Sequence, residues 1–327
     1  MFRAAKRFLS REPAHDTSPD YKDPWYLMNF VFWDNVYVLT SALPKSCKGT
    51  SVKEARYTPE GLEYDRWLVI VDAKTHIAIT ARDINKICTV NNVIVWESNN
   101  EGYVVESLDP DAAYGPDTPS KTLSKFLGRT ALPVLKGSKL RWVLPTINFP
   151  KLRASAMFHD GYPILVANDS SFEDIAKRVR MAANAEGDGE DTFKIHGLNK
   201  EVWKEKEIFI ERFRPNIVIS GEGLISYDEE RWGDIEVGQN QGEMLLVSLC
   251  YHYQMPNIDV ETGEPDSSAP SQILNKYRRS QLENPSASCF GINTPPLDSE
   301  DIRVGDLVKV VRWVKGGVIP IPPANSG

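Results

Sequence analysis

Short runs of β-branched and aromatic residues recur along this chain, punctuated by Gly, Pro, Asn, Asp and Ser. Few segments keep an apolar repeat long enough for a helix. In the first half the runs are residues 36–40, 67–72, 77–80 and 90–96; in the second they are 163–167, 206–213, 216–220, 234–237, 244–249 and 307–314. Runs of this length and composition, bounded by turn residues, read as strands. Three segments break the pattern. Residues 120–126 and 271–279 read as short helices. Residues 172–183 place Phe172, Ile175 and Val179 on one helical face, with Asp169, Ser170 and Ser171 offering N-caps. The expected class is therefore α+β, dominated by strand.

A chain of 327 residues predicts about two domains. The pattern divides it into a polar tail (1–27), a β domain (28–150), a mixed domain with more strand than helix (151–318) and a second tail (319–327). Residues 106–120, rich in Asp, Pro and Gly, and the acidic stretch 185–191 read as loops.

Charge narrows the function. Lys and Arg number 38 and Asp and Glu 45, giving a net charge of −7. Duplex-binding proteins draw most of their affinity from phosphate contacts and are usually basic, so no nucleic-acid partner is expected. The most apolar stretch, 26–43, is interrupted by Asp34 and Asn35, so no integral membrane segment is expected. Cys47, Cys88, Cys250 and Cys289 are widely spaced, with no Cys-x-x-Cys pair, which predicts reduced thiols in a cytoplasmic protein. The basic residues Arg3, Lys6, Arg7 and Arg11 leave an organelle-targeting helix as the alternative.

One run carries a chemical signal: Arg212-Phe213-Arg214-Pro215-Asn216 followed by an apolar strand. An Arg beside a Pro at a strand start can hold its guanidinium toward an anion. Around it the chain resembles the MOSC family, the molybdenum-cofactor sulfurase C-terminal domain. The likeness is greatest to the amidoxime-reducing and YcbX-type branch, which carries its own N-terminal β domain. Leu43-Pro44-Lys45-Ser46-Cys47-Lys48-Gly49 is similar to the opening motif of that N-terminal domain. Thr58-Pro59-Glu60-Gly61-Leu62, Asp65-Arg66-Trp67 and Thr80-Ala81-Arg82 follow in family order. Asp160-Gly161-Tyr162-Pro163 and Asp259-Val260-Glu261-Thr262-Gly263 come next, and Phe290-Gly291-Ile292-Asn293 and Ile302-Arg303-Val304-Gly305-Asp306 complete the series. Each motif is short, but their number and order make chance a poor explanation.

The resemblance implies a small N-terminal β domain followed by a MOSC β-barrel with a few helices, and a molybdopterin cofactor between them. It places Lys45, Arg66, Arg82 and Arg214 as a cationic cradle for the cofactor's phosphate and pterin, with Ser46 and Asn216 as neutral hydrogen-bonding groups. The implied activity is an oxidoreductase acting on N-hydroxylated compounds, with a small-molecule substrate and an electron-donor protein as partners. The chain has no haem, flavin or iron–sulfur motif of its own.

The chain departs from the family at one point. An Arg-Cys pair, whose thiolate ligates molybdenum, precedes the Asp-x-x-Thr-Gly turn in the family. Counting back from Asp259 puts Tyr253 at the ligand position and His252 at the Arg position; Cys250 lies three residues earlier. An odd offset in a strand points a side chain to the opposite face, so Cys250 reaches the metal only if the register differs. Three readings follow. Tyr253 ligates the metal as phenolate. Alternatively, the fold serves a molybdenum-free enzyme, a cyclase, isomerase or lyase of specialised metabolism with Tyr253 and His252 as an acid–base pair. In the third reading the protein is a non-catalytic cofactor carrier.

Overall fold

The computed structural model describes residues 38–40, 45–90, 104–105, 119–146, 148–185, 195–238, 240–278 and 288–314. Within them the chain is β-dominated, as its punctuation predicts, with few helices. The strands are β1 (Val38–Thr40), β2 (Thr50–Val52), β3 (Glu54–Thr58), β4 (Gly61–Leu62), β5 (Leu68–Asp72), β6 (Val104–Val105), β7 (Ala131–Leu135), β8 (Ile164–Asn168), β9 (Ile217–Ile219), β10 (Trp232–Val237), β11 (Gly242–Leu245), β12 (Ser248–His252), β13 (Ser288–Thr294), β14 (Glu300–Arg303) and β15 (Val308–Trp313). The helices are α1 (Pro119–Leu127), α2 (Asp169–Asn184), α3 (Lys200–Glu205) and α4 (Ser271–Tyr277).

A six-stranded sheet in the order β12-β13-β8-β9-β1-β2 forms the centre, antiparallel except for the parallel pair β8–β9. Both its faces are covered, which is why β9 and, up to Asn168 at its end, β8 are apolar instead of alternating. Ile164, Val166, Ile217, Ile219 and Ile292 face one core, shared with Trp232, Ile235, Val237 and Met244 from the sheet β11-β10-β15 and with Tyr57 and Ile302 from β14-β3-β4. Ala167, Val218 and Phe290, on the opposite side of the pleat, face a second core with Ile175 and Val179 of α2, Trp203 of α3 and Leu274 of α4. A fourth sheet, β5-β7-β6, packs Ile70 and Ala131 against Leu123 and Leu127 of α1. Among the described residues each sheet has open ends, so the expected barrel appears as packed open sheets.

Local chemistry moves several expected boundaries. Helix α2 begins three residues early, because Asn168 at the end of β8 accepts a hydrogen bond from the Ser170 N–H and is itself the cap. Residues 77–80 form only an isolated Val71–Ala78 bridge. On one side Asp72 accepts from the Lys74 and Thr75 N–H groups, and on the other Asp83 accepts from the Thr80 N–H, so Asx-type turns leave little room for a strand. Residues 206–213, expected as a strand, end in a 3-10 turn (Ile210–Phe213). The expected run 244–249 is divided between β11 and β12, and the chain changes sheets at Leu246 and Val247. Most of 90–96, 106–120 and 185–191, and all of both expected tails, lie outside the described residues. No helix among those described is long and apolar enough to cross a membrane.

Candidate functional site

A cleft of about 930 Å³ runs beside the central sheet. Lys45, Ser46, Arg66, Arg82, Arg214, Asn216, Cys250, His252 and Tyr253 all line it. The residues that the sequence singles out, drawn from segments more than 200 positions apart, thus meet in one place.

The cationic wall is built on an unusual backbone. Ser46, Arg66 and Arg214 all have left-handed conformations, with φ of 73°, 53° and 59°. Non-glycine residues there carry a penalty of about 1–3 kcal/mol, and such strain collects at functional sites. Arg214 is the sharpest case: it ends the 3-10 turn immediately before Pro215, a position that favours extended backbone. Its guanidinium donates to the carbonyls of Ser46 (3.4 Å) and Cys47 (2.6 Å), tying the two halves of the wall together. Burial pushes the Arg214 pKa below the usual guanidinium range, and the neighbouring Arg66 pushes the same way.

Asp65, wholly buried, is the hub behind this wall. Its Oδ2 accepts from Arg66 Nη1 (2.7 Å), Asn216 Nδ2 (2.9 Å) and His159 Nε2 (3.0 Å). Asn216 in turn accepts from the Leu165 N–H of β8 through Oδ1 (3.0 Å), so its amide orientation is fixed at both ends. His159 is 4% exposed, and burial with Arg66 nearby lowers its pKa to about 4 despite Asp65. It is neutral at pH 7, with Nε2–H given to Asp65 and Nδ1 lacking a partner among the described residues. Arg141 secures the same segment by donating to the carbonyls of Met157 and His159, both at 2.6 Å.

Beside Ser46, Lys45 Nζ meets Asp160 Oδ1 at 2.6 Å. Arg82 is exposed on the rim. With His159 neutral, the cleft sets Lys45, Arg66, Arg82 and Arg214 against the carboxylates of Asp65 and Asp160, a cationic balance inside an acidic chain. Nearby, Arg212 is buried and donates to Asp259 Oδ2 (2.6 Å), which also meets Lys206 Nζ (2.7 Å). Asp259 Oδ1 accepts from the Glu261 and Thr262 N–H groups, so the Asp-x-x-Thr-Gly turn is anchored to the Arg of the Arg-Phe-Arg-Pro run.

The strand β12 brings the remaining candidates. Its register against β13 shifts between Leu249 and Tyr251, so that Phe290 and Gly291 together stand opposite Cys250. The Cys250 thiol is pushed up to about 12 by burial, with the Asp160 carboxylate adding to the shift and Arg66 opposing it. His252 turns its ring toward Phe213 and Phe290, and its Nε2–H donates to the Phe290 carbonyl (2.9 Å). Burial lowers its pKa to about 4. Tyr253 lies just past the strand, 49% exposed, while its carbonyl accepts from the Ser271 hydroxyl (2.8 Å). Among the described residues, no group of three or more His, Cys, Asp and Glu side chains could hold a metal unaided.

The adjacency of Asp65 to Arg66 makes their pairing legible in the sequence, whereas the contact of Asp160 with Lys45 leaves no local signal. The anchoring of Asp259 by Arg212 has no sequence signature, since the pair is 47 positions apart.

A model of the MOSC domain matches residues 154–309. The mitochondrial amidoxime reducing component 2 of Macaca fascicularis is 25% identical over 302 residues, covering 81% of this chain and 79% of that protein. The human protein of the same name is 26% identical over 304 residues, with the same coverage. The molybdenum cofactor sulfurase of Danio rerio is 23% identical over 240 residues, 67% of this chain but 27% of the sulfurase. The MOSC-domain match thus covers residues 154–309, and the likeness to amidoxime reducing components extends well past it.

Proposed function

We propose that the cleft seats a molybdopterin-type cofactor and that the protein reduces N-hydroxylated compounds. The observation that carries this reading is the convergence of Lys45, Ser46, Arg66, Arg82, Arg214 and Asn216 on one cleft, three of them on strained left-handed backbone. A guanidinium has five N–H donors in a fork suited to phosphate, and the contacts of Arg66 and Arg214 to Asp65, Ser46 and Cys47 use only part of that set. The polar wall therefore fits a phosphate and a pterin edge. For the metal, the cleft offers the Cys250 thiol and the Tyr253 phenol. The similarity to amidoxime reducing components and to a molybdenum cofactor sulfurase supports the same reading.

When bound, such a cofactor supplies two-electron oxygen-atom chemistry. Reduction of an N-hydroxyl compound breaks the N–O bond, takes up two electrons and two protons, and gives the amine and water. The electrons come from a donor protein. The chain's residues grip the cofactor, and Asp65 holds Arg66, Asn216 and His159 in fixed orientation behind it.

The test is elemental analysis for molybdenum, with pterin fluorescence after oxidation, on protein from a cofactor-competent host. Near-stoichiometric metal and pterin are expected; the absence of both overturns the reading. Pterin without metal identifies a carrier instead. A molybdenum-free enzyme rests on Tyr253, whose exposed ring lies at the cleft. In that case Tyr253→Phe abolishes turnover by metal-free protein. The acid–base part then falls mainly to Tyr253, because His252 Nε2 is occupied by the Phe290 carbonyl.

A further inference from the structure

We propose that Asp160 is the internal counter-anion of the cationic cradle: its carboxylate occupies Lys45 until a multiply charged anion displaces it. The inference rests on the reading of the cleft as an anion seat and assigns that seat a built-in competitor. Asp160 and Lys45 are in contact at 2.6 Å, and both line the cleft with Arg66 and Arg82. Although burial opposes it, the fields of Lys45, Arg82 and Arg66 keep the Asp160 carboxyl below the usual carboxylate range, so three of the four cradle cations act on this one group.

The two partners are held very differently. The Lys45 N–H donates to the Leu68 carbonyl at the start of β5, and its side chain is 22% exposed. The Asp160 side chain is 73% exposed. Asp65, by contrast, is wholly buried under three donors. Of the two carboxylates, only Asp160 can swing into water at small penalty, because exposed ion pairs are weak. A monoanionic ligand offers Lys45 no more charge than Asp160 already does. A phosphate dianion offers more charge and several acceptor oxygens, and these can engage the guanidinium forks of Arg66 and Arg82 together. Asp160 therefore biases the cleft toward phosphate-type ligands and against simple carboxylates.

Titration calorimetry tests this on full-length protein from a host that makes no pterin cofactor, with inorganic phosphate and acetate as probes at pH 8 and fixed ionic strength. Asp160→Asn should bind phosphate about fivefold tighter than the parent and should gain acetate binding, whereas Lys45→Met should weaken phosphate. Glu261→Gln removes a carboxylate that pairs with Lys48 at 2.6 Å near the same wall, and serves as the control for general field. Equal tightening in Glu261→Gln, or weaker phosphate binding in Asp160→Asn, overturns the proposal while leaving an anion seat in place. Phosphate binding indifferent to Lys45→Met, or absent from both parent and Asp160→Asn, overturns both the proposal and the reading of the cleft.

Discussion

Asn216 Nδ2 lies 2.9 Å from Asp65 Oδ2, joining positions 151 residues apart in the chain. The same Asn216 accepts the Leu165 N–H, so one side chain fastens the Asp-Arg-Trp turn to the start of β8 and β9. Asp65 has three donors and no access to solvent. Asp65→Ala leaves the Arg66 guanidinium, the Asn216 amide and the His159 imidazole without their acceptor, and breaking a buried pair in this way removes about 3–5 kcal/mol. Urea denaturation should show that loss. Adding Arg66→Gln to Asp65→Ala should recover part of it, since the stranded charge is then gone. A loss under 1 kcal/mol would show that Asp65 does not organise the wall.

Glu229 predicts a pH dependence of unusual sign. It is almost wholly buried at the base of α2, accepting from the Ser171 hydroxyl (2.8 Å) and Asn168 Nδ2 (3.0 Å), and burial raises its pKa to about 7. An unfolded Glu ionises near ~4.3. Between those values the folded state holds a proton that the unfolded state has released, so stability falls as pH rises from about 4.3 through 7. Glu229→Gln removes this slope. Relative to the parent, the variant should be more stable at pH 8 than at pH 5, by on the order of 2–3 kcal/mol. Thermal melts of both proteins across that range decide it: parallel curves would show that Glu229 titrates normally.

Much of this architecture is legible from short-range pattern. The apolar runs at β5, β8 and β9 announce themselves because residues buried on both faces of a sheet need no partner to be recognised, and β10 and β15 do so by alternating apolar with polar residues. The helix α2 shows its face through Ile175 and Val179. What the pattern misses is turn chemistry. Asp72 and Asp83 leave residues 77–80 with only an isolated bridge, and Arg214, left-handed before a proline, is held by the carbonyls of Ser46 and Cys47, far away in sequence, which receive its guanidinium. For the same reason, the site's cations are visible as motifs while their distant carboxylate partners, Asp160 against Lys45 among them, are not. A motif records which residues occur together, and a hydrogen bond across 94 positions, such as His159 to Asp65, leaves no local trace.

Gly291 should be intolerant of any side chain. It sits at φ 73°, within the register shift opposite Cys250, and a Cβ there would come within 2.8 Å of the Val166 carbonyl oxygen. That oxygen is backbone of β8 and cannot rotate away. Gly291→Ala therefore combines left-handed strain, about 1–3 kcal/mol, with displacement of β13 from β8. Because β13 also pairs with β12, the disturbance reaches the strand that carries Cys250 and His252. The expected result is lower thermal stability together with faster alkylation of Cys250 by a thiol reagent, followed by peptide mass mapping. An unchanged melting temperature would mean that the two strands separate freely at this point.

Arg214 offers the most direct separation of binding from folding. Its guanidinium donates to the Ser46 and Cys47 carbonyls within the same wall, so it fixes the wall as well as adding charge. Lys keeps the charge but lacks the fork that can serve two carbonyls and still face a ligand. In the proposed function, Arg214→Lys should therefore lose most of the pterin retained on purification, by roughly tenfold or more, while unfolding at nearly the parent's denaturant midpoint. Arg214→Ala should lose pterin equally and stability as well, because two buried carbonyls then lack their donor. Oxidised-pterin fluorescence per mole of protein reads the first effect and the urea midpoint reads the second. If Arg214→Lys retains pterin at the parental level, charge alone suffices at this position, and the left-handed Arg214 serves the fold, with no part in gripping the ligand.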